Sequence, residues 1–300
     1  METNQNPAQE QPAQLIAPEV IQLEQQTAKP LYNPDEAARV VQILAHAYDP
    51  EYILLFGKLA GGTPHSEVMA YDLLIVTQDT PYYGWQSAKR FLKMEFPPRH
   101  REIPYANIYI GTQNIVESRI APFTWFARSE GVLLYRADHC KFKRPKTPLN
   151  FHGLYCDAKK HFGLFHELGE EFLDQAGTVF IENRLRQVAF SVGQAVELFY
   201  RTLYFVFHGL ETDNKDLMVM HDRMRTLSAE LMVLLDGDHV QGDRTLADLK
   251  IFLAKARYDA NFSIDPRVLE SYLDRVAKIG KVIEKICRER IDLYKSRIEL

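Results

Sequence analysis

A glycine-containing turn and a single acidic residue lie between two hydrophobic segments of the sequence. The first segment ends at Gly57 and Lys58, and the second contains Asp72 near its start. If both segments are strands, the turn and the carboxylate are placed where a phosphate and a metal ion would bind together. Asp72 precedes a run of aliphatic residues, and an acid there costs burial free energy unless it points into a polar cleft. We therefore expect Asp72 to face such a cleft.

A metal-dependent reaction on a phosphate would need more than this one acid. Mg²⁺ in such sites is held by carboxylates that share one face of a strand, because the ion must neutralise the developing charge. Ala70 shares a face with Asp72 but offers no oxygen. A later strand offers only Asn107, and Glu67 would have to reach in from the intervening loop. The sequence thus predicts an incomplete metal site.

This stretch resembles the signature of the nucleotidyltransferases, in which a glycine turn is followed, after a spacer, by two acids that flank one hydrophobic residue. Residues 59–69 form the spacer here, Ala70 stands at the first acidic position, and Lys58 stands where serine is usual. The resemblance implies Mg²⁺ and a nucleoside triphosphate as cofactors, bound by Gly57, Lys58 and Asp72. Lys58 is either a cation that holds phosphate without metal or an exposed turn residue.

The second half of the sequence is similar to a different family. The segment 189–197, then His221, and then Arg257 with Tyr258 follow in an order that resembles the HEPN domain, over residues 150–297. The resemblance implies an up-and-down helical bundle, a homodimer formed through that bundle, and a nucleotide or RNA as partner. It makes His221, Arg257 and Tyr258 candidate binding residues. Each also has a structural interpretation, as a residue that flanks or covers a helix end.

Many HEPN proteins are ribonucleases that use an arginine followed by a histidine, because arginine stabilises a phosphate while histidine moves a proton. No histidine follows Arg257 at that spacing. Arg201 and His208 match the spacing but lie in an apolar helical segment, two turns apart on one face. They are therefore either a nuclease pair or ordinary residues of the bundle.

Composition restricts the class of protein. The formal net charge is -4 and the isoelectric point is about 6.2, which does not favour tight nonspecific binding to nucleic acid. The 3 cysteines are widely spaced, which is typical of a reducing compartment and provides no paired metal ligands. The N-terminus lacks the pattern of a secretory signal. We expect a cytoplasmic protein that does not associate with a membrane.

Periodicity predicts the fold class as α+β with two domains. A flexible arm (1–30) precedes a small α/β nucleotidyltransferase-like domain with a mixed sheet (31–138), and a basic linker (139–149) leads to a HEPN-like helical bundle (150–300). The linker is either a phosphate-contacting strip or a solvated connector. Strands are expected near 52–56, 73–77, 108–110 and 131–135, and bundle helices near 150–175, 179–209, 216–235, 244–257 and 266–297.

Together these features predict a degenerate, non-catalytic nucleotide- or RNA-binding protein that acts as a homodimer in a toxin-antitoxin-like or regulatory system. Whether the chain is an enzyme stays open at this stage. One alternative is an active Mg²⁺-dependent nucleotidyltransferase, with Asp72 as metal ligand, that modifies a protein, an RNA or a small molecule. The other is a metal-independent HEPN ribonuclease that uses Arg201 and His208.

Overall fold

The computed structural model of the chain describes residues 34–57, 60, 70–95, 105–118, 121–212, 216–224, 227–228, 230–231, 234 and 242–298. Lys58, Glu67 and the arm at 1–30 lie outside the described residues, so the expectations for them stay predictions. From Leu31 onward the chain forms one compact unit. The boundary expected at 139–149 stays a prediction as well.

Four strands form a mixed sheet with the order β3-β2-β1-β4. β1 is antiparallel to both of its neighbours, whereas β2 and β3 are parallel. A parallel pair needs a crossover connection, and helix α2 lies within that connection. The bounds are β1 Tyr52–Phe56, β2 Ala70–Thr77, α2 Trp85–Glu95, β3 Tyr105–Thr112 and β4 Val132–Arg136.

The sheet is buried on both faces, which explains the nearly continuous hydrophobic runs of β1 and β2. One face packs with α1 (Pro34–Tyr48) and α2, through residues such as Ile53, Leu55 and Leu73. The other face carries Leu54, Leu74 and Tyr109 and packs with α3 (Gln113–Ser118) and α4 (Pro122–Glu130). Side chains alternate along a strand, so Asp72 and Asn107 belong to this second face.

From Phe151 onward the described chain consists of helices and the connections between them. A long hairpin of α5 and α6 packs with the last helix around a shared apolar core. Asn150 caps α5 and Asp265 caps the last helix, each by accepting a hydrogen bond from a backbone N–H in the first turn. The bounds are α5 Phe151–Ile181, α6 Leu185–His208, α7 Leu217–Met224, α8 Gly242–Tyr258 and α9 Pro266–Ser296.

The expected class, a mixed sheet followed by helices, is confirmed in this coarse form. The break expected near residues 175–179 is wrong, because α5 continues through Gly177 and ends at Ile181. A helical glycine costs only about 1 kcal/mol, and burial of the neighbouring Ala176 and Val179 offsets that cost. The chain turns instead at Asn183, whose φ is 57°. Within the described residues, no helix is long and apolar enough to cross a membrane.

Candidate functional site

Gly57 and Asp72 lie against each other at the end of β1. Asp72 is opposite Phe56 in the antiparallel β1–β2 pair, so the turn after β1 passes over its carboxylate. Gly57 has a φ of 75°, and a Cβ atom there would meet Asp72 Oδ2 and lie 3.3 Å from Cγ. Both facts require glycine, since other residues rarely adopt this backbone conformation. The turn is thus shaped around the aspartate.

Asn107 connects Asp72 to the helical part of the chain. It is the parallel neighbour of Asp72 on β3, and its Nδ2 lies 3.2 Å from Asp72 Oδ1. The same nitrogen lies 3.0 Å from the carbonyl oxygen of Arg223 in α7. Both partners accept only, so the amide must direct its N–H groups toward them. Asp72 is consequently buried, with 6% of its surface exposed, and accepts a hydrogen bond from an amide.

These residues do not fit a two-carboxylate Mg²⁺ site. Asp72 is the only acidic residue in the four described strands. The position beside it on β3 holds an amide that presents N–H donors, whereas Mg²⁺ requires oxygen ligands. A metal supplies several kcal/mol of transition-state stabilisation in such reactions, and the described residues do not assemble the ligands for it.

Beyond Asn107, the polar chain continues through Tyr109 to His208 and stays uncharged. The Tyr109 hydroxyl lies 3.3 Å from Asn107 Nδ2 and 3.5 Å from His208 Nε2. Burial raises the pKa of Tyr109. Burial, together with the positive charges of Arg223 and Arg290, lowers the pKa of His208 to about 3. Both side chains are therefore neutral near pH 7, and neither carries charge for a ligand.

A positively charged group, the guanidinium of Arg223, lies near this end of the sheet. Its Cζ lies 4.8 Å from the ring centroid of Trp85 and 4.8 Å from that of Tyr109. Within the described part of the chain, no carboxylate lies in ion-pairing range of Arg223. The adjacent Asp222 pairs with Lys89 on α2 at 3.2 Å, which fixes α7 against α2. Arg223 is thus held between aromatic rings, with no ion pair to a carboxylate in the part of the chain that the structure describes.

A cavity of about 320 Å³ opens beside Arg223, between β3, α2, α4, α6 and α7. Its wall is mainly apolar and includes four aromatic side chains, and Arg223 is the only charged residue among the described residues that line it. Thr124, Thr212 and the backbone at Gly111 add polar groups. The volume is at the small end of the range for small-molecule sites, about 300–1,000 Å³. The aromatic lining residues are Trp85, Tyr109, Phe123 and Tyr204.

His221, expected as a binding residue, lies in the helical core. It is buried, and its Nδ1 lies 2.7 Å from the hydroxyl of Tyr200 on α6. The two rings also meet edge to face. Its neighbour Met220 lines the cavity beside Arg223, whereas His221 is not one of the lining residues. His221 is therefore a hydrogen-bonded residue within α7, and its expected contact with a nucleotide stays a prediction.

Arg257 and Tyr258 lie together, but at a different place from Asp72. They line a smaller cavity of about 180 Å³ with Glu197 and Lys250. Arg257 lies 4.0 Å from Glu197, which also pairs with Arg201 at 3.1 Å. Tyr258 is 85% exposed. The predicted site residues that the structure describes therefore lie in three places: Gly57 with Asp72, His221 alone, and Arg257 with Tyr258.

Arg201 and His208 have different surroundings despite their spacing on α6. Arg201 pairs with Glu197 near the smaller cavity, whereas His208 is buried among Tyr109, Phe123 and Tyr204. A nuclease histidine has to reach its substrate and exchange a proton with it. Burial and the lowered pKa of His208 do not favour that role.

Sequence reasoning missed Arg223, Trp85 and Tyr109 as components of a site. Two signals were present: Tyr109 follows Asn107 by two positions and so shares its face of β3, and Arg223 follows the singled-out His221. Trp85 had no comparable signal, because its contact with Arg223 depends on how α2 meets α7.

No family model matches the chain, and a comparison with curated proteins found none that matches. The nucleotidyltransferase-like and HEPN-like assignments therefore stay resemblances of sequence pattern.

Proposed function

We propose that this protein binds a nucleotide without metal and without catalysing its transfer. One observation carries the proposal: a cavity with four aromatic rings in its wall has one cation among its described lining residues, Arg223, and no carboxylate of the described chain forms an ion pair with it. Aromatic walls suit a planar base, and an arginine edge binds phosphate oxygens through paired N–H groups. A nucleotide combines these two chemical features.

The position of Asp72 supports Arg223, and not the Gly57 turn, as the phosphate contact. Asp72 lies directly beneath Gly57, so a phosphate at this turn would meet a carboxylate of the same charge. Like charges at short range are unfavourable unless a cation lies between them. Arg223 offers a positive charge in the wall of the cavity, beside Trp85 and Tyr109, and the phosphate would bind there.

Catalysis is not part of the proposal, because the chemistry of nucleotidyl transfer depends on metal ligands. Asp72 accepts a hydrogen bond from Asn107, and the four strands contain no second acid. Such a site would bind a triphosphate, a diphosphate and a monophosphate by the same contacts, with an affinity that does not depend on Mg²⁺. A homodimeric, regulatory role of the kind associated with HEPN-like bundles belongs to the same proposal.

The test is a fluorescence titration in the Trp125→Phe background, which leaves Trp85 as the reporter of the 2 tryptophans. ATP, ADP and AMP are titrated in EDTA and again in Mg²⁺. We expect quenching with the same Kd, within about twofold, in both conditions. In Arg223→Gln, loss of a charge-assisted hydrogen bond, about 1.5–3 kcal/mol, weakens binding by about 10- to 100-fold.

Arg267→Gln is the matched control, since it removes an exposed arginine from α9. Its affinity should equal that of the parent. Equal affinity in Arg223→Gln would contradict the proposal, as would Mg²⁺-dependent incorporation of labelled nucleotide that Asp72→Asn abolishes. The second result would establish the transferase alternative. Competition by single-stranded RNA, but not by mononucleotides, would identify RNA as the ligand instead.

A further inference from the structure

A histidine and two glutamates meet where α5 and α9 pack, away from the cavity beside Arg223. One ligand atom from each of His166, Glu170 and Glu284 lies within 4.8 Å of the others. His166 and Glu170 are one turn apart on α5, and Glu284 is on α9. Three side chains with metal-ligand chemistry therefore converge from two helices.

The hydrogen bond of His166 fixes which of its nitrogens faces the glutamates. Nε2 lies 3.1 Å from the carbonyl oxygen of Gly280 on α9. A carbonyl can only accept, so Nε2 carries the proton and the neutral ring has its lone pair on Nδ1. Nδ1 lies 4.0 Å from Glu170 Oε1 and makes no hydrogen bond with any described residue. His166 is 3% exposed, so its ring is held within the helical core, and Nδ1 is the ring nitrogen that faces the Glu170 carboxylate.

Metal-binding histidines have this arrangement, in which the second ring nitrogen donates to a carbonyl and orients the first. Gly280 lies against α6 as well, because a Cβ atom there would lie 2.7 Å from Phe199 Cζ, so a larger residue would push α9 away from α6. The proton position on His166 thus follows from its hydrogen bond across the α5–α9 contact to the Gly280 carbonyl.

The glutamates can close on an ion without moving the backbone. Donors around a tetrahedral Zn²⁺ lie about 3.4 Å apart, given metal–ligand distances of about 2.0–2.2 Å. Glu170 and Glu284 have partly exposed side chains, 55% and 34%, that can rotate inward. Arg288 donates to Oε1 of Glu284 at 2.9 Å, and a carboxylate has lone pairs enough for both a guanidinium and a metal.

We propose that His166, Glu170 and Glu284 form a binding site for a divalent first-row transition metal, with Zn²⁺ as the representative ion. One imidazole nitrogen and two carboxylates favour such an ion over Mg²⁺, which prefers oxygen ligands and keeps its waters. Three protein ligands leave at least one position for water. The ion would link α5 to α9 and stabilise the folded chain by binding only to it.

The test measures Zn²⁺ binding to the full chain by calorimetry after removal of metal with EDTA. The parent is Cys156→Ser, because Cys156 and His152 form an exposed pair with Sγ and Nε2 3.8 Å apart that could bind Zn²⁺ on its own. We expect one Zn²⁺ per chain, a higher Tm with Zn²⁺, and no competition from Mg²⁺. Glu170→Gln and Glu284→Gln should each weaken binding by at least about tenfold.

The matched controls are Glu171→Gln and Glu289→Gln, which remove exposed carboxylates from the same two helices. Both should bind Zn²⁺ within about twofold of the parent. The parent's failure to bind Zn²⁺ would overturn the proposal. Equal affinity in the parent, Glu170→Gln and Glu284→Gln would also overturn it, since Zn²⁺ would then be bound elsewhere.

Discussion

At the residue scale, a buried aspartate under a glycine turn can have one of two partners, a metal ion or a hydrogen-bond donor. In a working transferase the carboxylate faces a metal, whereas Asp72 here faces an amide N–H of Asn107. The amide of Asn107 donates one hydrogen bond to the Asp72 carboxylate and another to the carbonyl oxygen of Arg223 in α7. Through Asn107, Asp72 therefore belongs to the hydrogen bonds that join the sheet to helix α7.

The contact between Gly57 and Asp72 leads to a prediction on stability. Gly57→Ala should lower the free energy of unfolding by at least about 2 kcal/mol, because left-handed backbone costs a non-glycine residue about 1–2 kcal/mol and the new Cβ also meets Asp72. In an Asp72→Ala background the same substitution should cost only the backbone part. Urea unfolding of the four proteins in this cycle measures both values. An identical cost in the two backgrounds would show that the two residues are not in contact.

Part of this residue-level picture could be predicted from sequence. A positive φ is common for glycine in a tight turn after a strand, as at Gly57, and the sequence showed that a later strand offers Asn107 in place of a second acid. Arg223 could not be predicted as the cation of the site. Its contacts join residues more than a hundred positions apart, and periodicity within one segment contains no information about them.

At the element scale, α7 positions the cavity's cation. This helix is short, from Leu217 to Met224, and short helices have little stability of their own. Three contacts hold it in place: the Lys89–Asp222 ion pair, the hydrogen bond from Asn107 to the carbonyl oxygen of Arg223, and the cap by Asp216 at its start. Asp216 Oδ1 accepts from the backbone N–H of Met218, and Oδ2 lies 2.7 Å from Lys250 Nζ on α8.

We expect the contribution of Asp216 to the stability of the fold to depend on pH. Burial raises the pKa of Asp216, but hydrogen bonds from Lys250 and Met218 outweigh that effect, so the pKa lies below its usual value. A lowered carboxyl pKa contributes stability above the unfolded pKa, and that stability is lost as the pH falls through the folded pKa. Asp216→Ala should therefore cost about 1 kcal/mol at pH 7, and the difference from wild type should shrink below pH ~4.

Asp216→Asn separates the two contributions, because asparagine retains the capping oxygen and loses the charge. It should lie between wild type and Asp216→Ala at pH 7 in urea unfolding. Both variants should also weaken nucleotide binding modestly, since α7 carries Arg223. If the difference in unfolding free energy between wild type and Asp216→Ala did not change with pH, the charge of the Asp216 carboxylate would make no contribution to stability.

The elements themselves follow closely from the sequence. Strand β1 occupies residues 52–56 and the last helix begins at Pro266 behind an aspartate cap, both as expected. Strands β2 and β3 are longer than predicted, since pairing with each other extends backbone that has no hydrophobic signal of its own. Within the range 216–235, where one helix was expected, the structure describes helix α7 from Leu217 to Met224.

At the scale of the whole molecule, the cavity exists because the sheet and the helices meet face to face. β3 and α4 supply one wall, and α6 and α7 supply the other. Further contacts join the same two parts, such as Arg297 with Glu130 at 2.8 Å and Trp125 with Phe151. Ligand sites commonly form between packed layers of this kind. The sequence predicted both layers, but the surface between them depends on side chains from both.

The most direct measurement is a crystal structure of the protein grown with ATP and Mg²⁺. We predict the adenine between aromatic residues of the cavity that contains Trp85 and Tyr109, phosphate oxygens on the guanidinium of Arg223, and no Mg²⁺ on Asp72. A triphosphate at the Gly57 turn, with Mg²⁺ coordinated by Asp72 and a second carboxylate, would contradict the account and identify the protein as a metal-dependent transferase.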